Sequence, residues 1–482
     1  MRILAALFAM SAFAADIPRT WEKSAVETLE LPLAKREFSP THIDEASYYR
    51  IPERVIYKSY PVYGPGREPA GYADWLMTVK PEVAFDPSRL TSPDQWAAAG
   101  EIVFNAPTSF HPVFFTAQDL RDPEFVKQTG LPVAKDGTIP FARWVVRRKG
   151  SVELGSMGCN TCHTRVLRDG TVVPGAQGNN PNDREGALRL RISANVMGAE
   201  KVVAQVRSFA QQFEMPWLGH DINRLPRSMD LDQLIAAGEA IPPGVTARAN
   251  TSMLLPPQIP DLIGVRERRF LDHTGLIRHR TIGDLMRYSS LAQDLFSSDR
   301  YGAGSAGNLA LPAARYSDPQ LYALAFYLYS LRPPANPNHF DSSAERGKAL
   351  FAREKCGNCH TPPLYTNNQL IAADGFEPPA GAVDVGPVRI GVDPRYALET
   401  RKGTGYYKVP SLKGVWYRGP FGHNGSAATL EDWLDPARLN PEYIPTCFKG
   451  HDGKTRSIPG HPFGLRLSST ERQDLIAFLR TL

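Results

Sequence analysis

Two copies of one pentapeptide, Cys-x-x-Cys-His, constrain this chain more than any other feature. They are Cys159-Asn160-Thr161-Cys162-His163 and Cys356-Gly357-Asn358-Cys359-His360. Two thiols one helical turn apart add across the two vinyl groups of a porphyrin, and the adjoining histidine is then placed to ligate the iron from the proximal side. A Cys-x-x-Cys pair is also half a zinc site or a thiol–disulfide pair. Zinc would require a second Cys or His pair at short spacing after each copy, and none follows. The histidine stands in both copies although the chain has only eleven histidines in 482 residues. The pentapeptides therefore predict two covalently attached haem c groups, held by Cys159, Cys162, Cys356 and Cys359, with His163 and His360 as iron ligands. Haem iron narrows the chemistry to electron transfer, peroxide chemistry or oxygen chemistry. Cys447, the fifth cysteine, has no disulfide partner left and reads as a buried thiol.

The N-terminus points to the compartment in which haem c is attached. Met1-Arg2 is a short positive region, Ile3 to Phe13 is apolar, and Ala12-Phe13-Ala14 is a small-x-small cleavage site. This predicts a signal peptide over 1–15 and a periplasmic or secreted protein. No later stretch approaches the roughly 18 apolar residues of a membrane span, so no transmembrane segment is expected. The net charge of +5 forms no basic block, which argues against nucleic acid as a partner. About 465 mature residues exceed what one core supports, so two or three domains are expected. The 42 prolines and 39 glycines imply long ordered loops between modest helices.

The two halves repeat. Ala344-Glu345-Arg346-Gly347-Lys348-Ala349-Leu350-Phe351 leads directly into Cys356, as an amphipathic helix before the motif. Its counterpart is Gln95 to Phe104, but there the motif follows only at Cys159, after an insert of roughly fifty residues. Downstream, Ile259-Pro260-Asp261-Leu262-Ile263-Gly264-Val265 matches Val409-Pro410-Ser411-Leu412-Lys413-Gly414-Val415. Eight residues after each valine stands a histidine, His273 and His423, followed by x-Gly and a Thr-led helix start at Thr281 or Thr429. Each half closes on an amphipathic helix, Asp318 to Leu331 and Ser469 to Leu482, and Arg332-Pro333-Pro334 stops the first of them. The expected fold is mainly α: a signal peptide (1–15), an N-terminal arm (16–84), a first cytochrome c domain with its insert (85–335) and a second (336–482).

Tandem domains of this kind, with Pro-x-Leu-x-Gly-Val in the second half and the Phe421-Gly422-His423-Asn424-Gly425 turn, resemble the bacterial di-haem cytochrome c peroxidase and MauG superfamily over about residues 90–482. The long insert before the first motif looks most like the rubber-oxygenase branch. The resemblance implies a peroxidase-like oxidoreductase. Its electron donor would be a soluble cytochrome c or cupredoxin, and its substrate peroxide or another small or apolar molecule. An oxygenase with an apolar channel lined by Phe110, Phe114, Phe115, Phe125 and Phe141, and a pure electron carrier, are the alternatives. Relatives carry a calcium ion between the domains, but no carboxylate cluster here compels one.

The same resemblance bears on the sixth position of each iron. The peroxidases place a methionine shortly before the final helix, where this chain has Pro459-Gly460-His461-Pro462. His461 is inferred to replace it and make the second haem bis-histidine, with His423 and His451 as rivals. The equivalent position in the first half is Ala310, and no histidine occurs between His163 and His220. The first iron is therefore expected to be open and reactive. His273 is expected beside it as the catalytic acid–base group, with a propionate contact or direct ligation as alternatives. Met286 and Met253 are further candidate ligands.

Overall fold

The computed structural model describes residues 16–111, 114–247, 252–295, 300–301 and 311–482. The expected signal segment 1–15 and Ala310 lie outside the described residues. Eight described helices are eight residues or longer: α1 (Pro93–Asn105), α2 (Asn182–Met197), α3 (Ala199–Ala210), α4 (Leu231–Glu239), α5 (Ile282–Gln293), α6 (Asp318–Ser330), α7 (Ser342–Arg353) and α8 (Ser469–Arg480). The largest sheet is antiparallel, with β1 (Ser59–Tyr63), β2 (Thr138–Arg148) and β3 (Ser151–Gly155) in that order. The chain is thus mainly helical with small sheets. Among the described residues no helix is long and apolar enough to cross a membrane.

Two helix pairs of the same construction organise the molecule. In α1 a capping box between Ser92 and Gln95 satisfies the first free N–H groups, and Trp96, Ala99, Gly100, Val103 and Phe104 form the buried stripe. This stripe packs against α6, which opens on a Ser317–Gln320 capping box. In the second half α7 buries Ala344, Gly347, Leu350 and Phe351 against α8, which opens on a Ser468–Glu471 box. Both pairs cross at a glycine. A Cβ on Gly100 would stand 2.0 Å from the Ala323 carbonyl oxygen, and one on Gly347 would stand 1.9 Å from that of Asp474. Tyr327 and Phe478 are the next neighbours at each crossing. Ala323 and Asp474, and Tyr327 and Phe478, occupy equivalent positions when Leu331 is aligned with Leu482, and Gly100 and Gly347 stand in the equivalent helices that precede the two motifs.

Residues 16–84 supply Trp21, Leu29, Tyr48 and Ile51 to the core that also holds Trp96 and Val103, and they contribute β1 to the sheet. Phe115, Phe125 and Phe141 of the insert are buried in one cluster with Val62 and Trp144 on the sheet, which is core packing rather than channel lining. Helices α2, α3 and α4 form a further small layer around Val202, Leu234 and Leu254.

The halves meet through the two histidine turns. The Lys408 N–H donates to the His273 carbonyl at 2.9 Å, and the Gln258 N–H donates to the His423 carbonyl at 2.8 Å. Gln258 and Lys408 are equivalent in the repeat, as are His273 and His423, so the contact is locally two-fold. Thr404 Oγ1 donates to the Thr274 carbonyl and Thr274 Oγ1 to that of Lys402, both at 2.6 Å, which extends the contact.

Candidate functional site

Each Cys-x-x-Cys-His lies on a single tight turn, so that the histidine N–H reaches back to the first cysteine carbonyl at 2.9 Å in both copies. His163 Nδ1 donates to the Pro260 carbonyl at 3.1 Å. His360 Nδ1 donates to the Pro410 carbonyl at 3.1 Å and shares the Tyr365 carbonyl at 3.2 Å. Pro260 and Pro410 are the equivalent prolines of the repeat, which gives that segment a physical task. A proton held on Nδ1 by a carbonyl leaves Nε2 with its lone pair and fixes the ring for ligation. Burial pushes the Cys159 thiol up to about 12 and the Cys356 thiol up to about 11. Neither is the ionised thiolate that disulfide exchange would use.

A cavity of about 500 Å³ opens beside the second motif. Cys356, Cys359 and His360 line it together with Phe351, Leu412 and Leu475, and His461 stands on it as well. The His360 and His461 ring centres are 6.4 Å apart with their planes tilted by 57°. With metal–nitrogen bonds of about 2 Å and each ring centre about 1.1 Å behind its nitrogen, two imidazoles on opposite faces of one iron stand about 6 Å apart. His461 sits at φ +48°, after Gly460 at +77°. A left-handed non-glycine residue costs about 1–2 kcal/mol, and such strain gathers at functional positions. Its N–H donates to the Ile390 carbonyl at 2.6 Å and its own carbonyl accepts from Arg438 at 2.8 Å, so the loop is held from both sides. Burial, reinforced by His360 and Arg438, pushes His461 down to about 3, which leaves the ring neutral. Its Nδ1 is enclosed without a hydrogen-bond partner.

Three cations, Lys408, Arg268 and Arg418, line the same cavity. Lys408 has no hydrogen-bond acceptor or carboxylate partner for its ammonium among the described residues. Burial, with Arg268 and Arg418 nearby, pushes it down to about 7 against the opposing pull of Asp272. Arg268 is committed to the carbonyls of Asp261 and Ile263, and Arg418 lies 3.8 Å from Asp261. A buried ammonium without an anion is unfavourable unless a charge of opposite sign joins it. The carboxylates of a porphyrin are such charges. Two thiols, a proximal imidazole with a free Nε2, a second neutral imidazole, apolar walls and an unpaired cation together fit a haem at this site.

Around the first motif the surroundings are closed and polar in places. Cys159 belongs to the main core with Met286 and Tyr316, and Gln293 Nε2 lies 3.5 Å from its sulfur. Asp294 next to it pairs with Arg54 at 3.0 Å and accepts from the Tyr316 N–H at 2.9 Å. The thiols and the oriented His163 fit covalent attachment and proximal ligation. Pro260 holds His163 and also lines the second cavity, so one residue touches both sites.

Comparison with known proteins agrees with this construction. No family model matches the chain. Cytochrome-c peroxidase IdrP1 of Pseudomonas sp. (strain SCT) is 29% identical over 167 residues, covering 30% of this chain and 41% of that protein. IdrP1 of Denitromonas iodatirespirans is 28% identical over 162 residues. The methylamine utilization protein MauG of Methylorubrum extorquens is 29% identical over 153 residues, covering 29% of this chain and 35% of MauG. Over these segments the chain is similar to cytochrome-c peroxidase and MauG proteins. The matched segments span about two fifths or less of these curated relatives. Overlap with solved structures is slight. A MauG-like protein associated with microbial copper homeostasis is 17% identical, covers 50% of this chain and 78% of its own, and has a TM-score of 0.31.

The remaining candidate histidines lie around two cavities. His273, expected beside the first motif, lies at the meeting of the two halves. It lines the second cavity, and its Nε2 donates to the Gln258 carbonyl at 2.5 Å, where the locally two-fold contact between the halves holds it. His423 also lines that cavity, packed 4.9 Å from Tyr407 and 6.2 Å from Tyr396, rather than facing His360. His451 lines a neighbouring cavity of about 410 Å³, which His423 also lines. Met286 is fully buried on α5, whereas Met253 packs against the α3–α4 layer. Among the described residues no group of three or more His, Cys, Asp or Glu converges on one point. The sequence reading missed Lys408, Gln293, Asp294 and Glu185. Only their tertiary surroundings mark them, and no local motif does.

Proposed function

We propose that the chain is an exported di-haem c-type oxidoreductase of the peroxidase type, with a reactive first haem and an electron-relaying second haem. The observation that carries this is the asymmetry between two otherwise matching sites. Both proximal histidines are oriented by equivalent proline carbonyls, yet only His360 faces a second described imidazole at ligand separation, that of His461. When bound, haem iron supplies one-electron redox chemistry and, where a coordination position is open, activation of peroxide or oxygen.

The chain's own residues then divide the work. His360 and His461 close both faces of the second site, and Lys408 offsets the porphyrin carboxylates. His163 orients the first site, and Pro260 links it to the second cavity by a short route through protein. Electrons would arrive from a soluble cytochrome c or cupredoxin docking on the second half. Cleavage of an apolar substrate by oxygen is the alternative use of an open first iron.

Optical and EPR spectra of the isolated and reduced protein test the proposal. Two haems per chain are expected, one low-spin and inert to CO and one that binds CO or peroxide. His461→Ala should convert the low-spin haem to a CO-binding one. A low-spin signal that survives His461→Ala removes that assignment. Two low-spin haems unresponsive to CO, oxygen and peroxide would make the chain an electron carrier.

A further inference from the structure

A buried polar chain beside the first motif has no part in the function proposed above. Asn182 Nδ2 lies 3.8 Å from Cys162 Sγ. Asn182 Oδ1 accepts from Asn180 Nδ2 at 2.6 Å, and the same amide nitrogen stands 3.3 Å from Glu185 Oε2. Glu185 and Asn180 are both 0% exposed, at the start of α2 and just before it. Glu185 Oε1 and Asn180 Oδ1 are each enclosed without a hydrogen-bond partner. No cation pairs with Glu185 among the described residues. Asp119 is the charged group facing it from outside α2, and Asp119 is itself engaged by Arg189 at 3.3 Å. On α2 the neighbour is Asp183, which accepts from the Ala247 N–H at 3.3 Å. From α4 it is Gly238 that packs on this turn, and it brings no charge.

A carboxyl enclosed without a cation keeps its proton around neutral pH, and burial pushes Glu185 up to about 8 and Asp183 up to about 7. Such a group, hydrogen-bonded toward a haem-bearing cysteine, responds to a change of charge at that haem. We propose that Glu185 is the proton acceptor coupled to reduction of the first haem, through Asn180, Asn182 and Cys162. This rests on haem attachment at Cys159 and Cys162. In net terms, at the alkaline pH where Glu185 is ionised before reduction, one electron from the reductant and one proton from water, which is left as hydroxide, are taken up. The iron passes from ferric to ferrous, the Glu185 carboxylate becomes a carboxylic acid, and no other bond forms or breaks. The added electron raises the proton affinity of Glu185, so the two uptakes favour each other.

The test is a potentiometric titration of the intact di-haem protein, followed optically at each haem between about pH 6 and about pH 10. In wild type the midpoint potential of the first haem should fall as pH rises across about 8, approaching about 59 mV per tenfold change in proton activity. Glu185→Gln, which mimics the protonated side chain, should flatten that dependence and leave the second haem's unchanged. Infrared difference spectra of wild type should gain a protonated-carboxyl band on reduction at alkaline pH, a readout that needs no variant. A flat wild-type profile, or a slope that survives Glu185→Gln and disappears in Asp183→Asn, overturns the assignment. A pyridine haemochrome count of one haem per chain, lost from Cys159 and Cys162, would instead overturn the two-haem reading beneath it.

Discussion

Gly347→Ala is the most direct probe of the helix crossing that frames the second site. A methyl group there would start 1.9 Å from the Asp474 carbonyl oxygen, whereas ordinary contact begins at 3.4 Å. The oxygen belongs to helix backbone and cannot rotate away, so α7 and α8 must part by about 1.5 Å locally. Overpacking of this kind costs about 1–3 kcal/mol. Against it stands the helix preference of alanine over glycine, about 1 kcal/mol. The expected net loss is up to about 2 kcal/mol, toward the upper end because a backbone oxygen cannot give way, and Gly100→Ala should behave alike because its methyl would meet Ala323. Gly186 in α2 is the internal control. A methyl there meets only a Phe114 ring atom at 3.8 Å, so Gly186→Ala should gain about 0.5–1 kcal/mol. Guanidinium unfolding followed by far-ultraviolet circular dichroism gives all three midpoints. On the di-haem reading proposed above, the second haem's spectrum should also change in Gly347→Ala, because Phe351 and Leu475 of this helix pair line the second cavity. A Gly347→Ala protein as stable as wild type would refute the close crossing.

Two further outcomes follow from the charges around the second cavity. Lys408→Met removes a cation without an anion of its own, so the midpoint potential of the second haem should fall, because a nearby positive charge favours the reduced form. Spectroelectrochemistry reads this, and an unchanged potential would separate Lys408 from the haem. Burial, with His273 and Arg395, pushes His423 down to about 4 although Asp393 opposes them. The unfolded chain takes up this proton first, near the ordinary value of about 6.5. The His423 share of stability is therefore whole above that pH and fades down to about pH 4, by at most about 3 kcal/mol. His423→Gln should lose less stability than wild type between neutral and mildly acid pH, and equal losses in urea titrations would count against a buried neutral imidazole.

Much of the framework was legible because its signals are local. Capping residues announced the helix starts: Thr429 and Asp432 cap one another, with the Thr429 N–H on Asp432 at 3.0 Å and the Asp432 N–H on Thr429 Oγ1 at 3.2 Å. The repeat announced equivalence, and the structure shows what is equivalent: the glycine crossings, the proline carbonyls and the exchanged contacts of the histidine turns. The insert's aromatics were ambiguous, since phenylalanines that line a channel and phenylalanines that fill a core have the same composition. The lining of the second cavity by His273 was not legible, because its distance from either motif along the chain says nothing about which cavity a hairpin turn enters.

From the sequence alone came the two Cys-x-x-Cys-His motifs, the internal repeat and the helix ends, each written in residues a few positions apart. The tertiary structure alone brought the His461 ring to 6.4 Å from that of His360, and it alone enclosed Glu185 away from ion-pair partners. Those are meetings of segments up to about a hundred residues apart. They depend on how loops pack, on the positive φ at Gly460 and His461 and on the approach of that loop to Ile390 and Val392. A local pattern reports the conformation of its own backbone. Burial and coordination are set by whatever the rest of the chain brings to the same place.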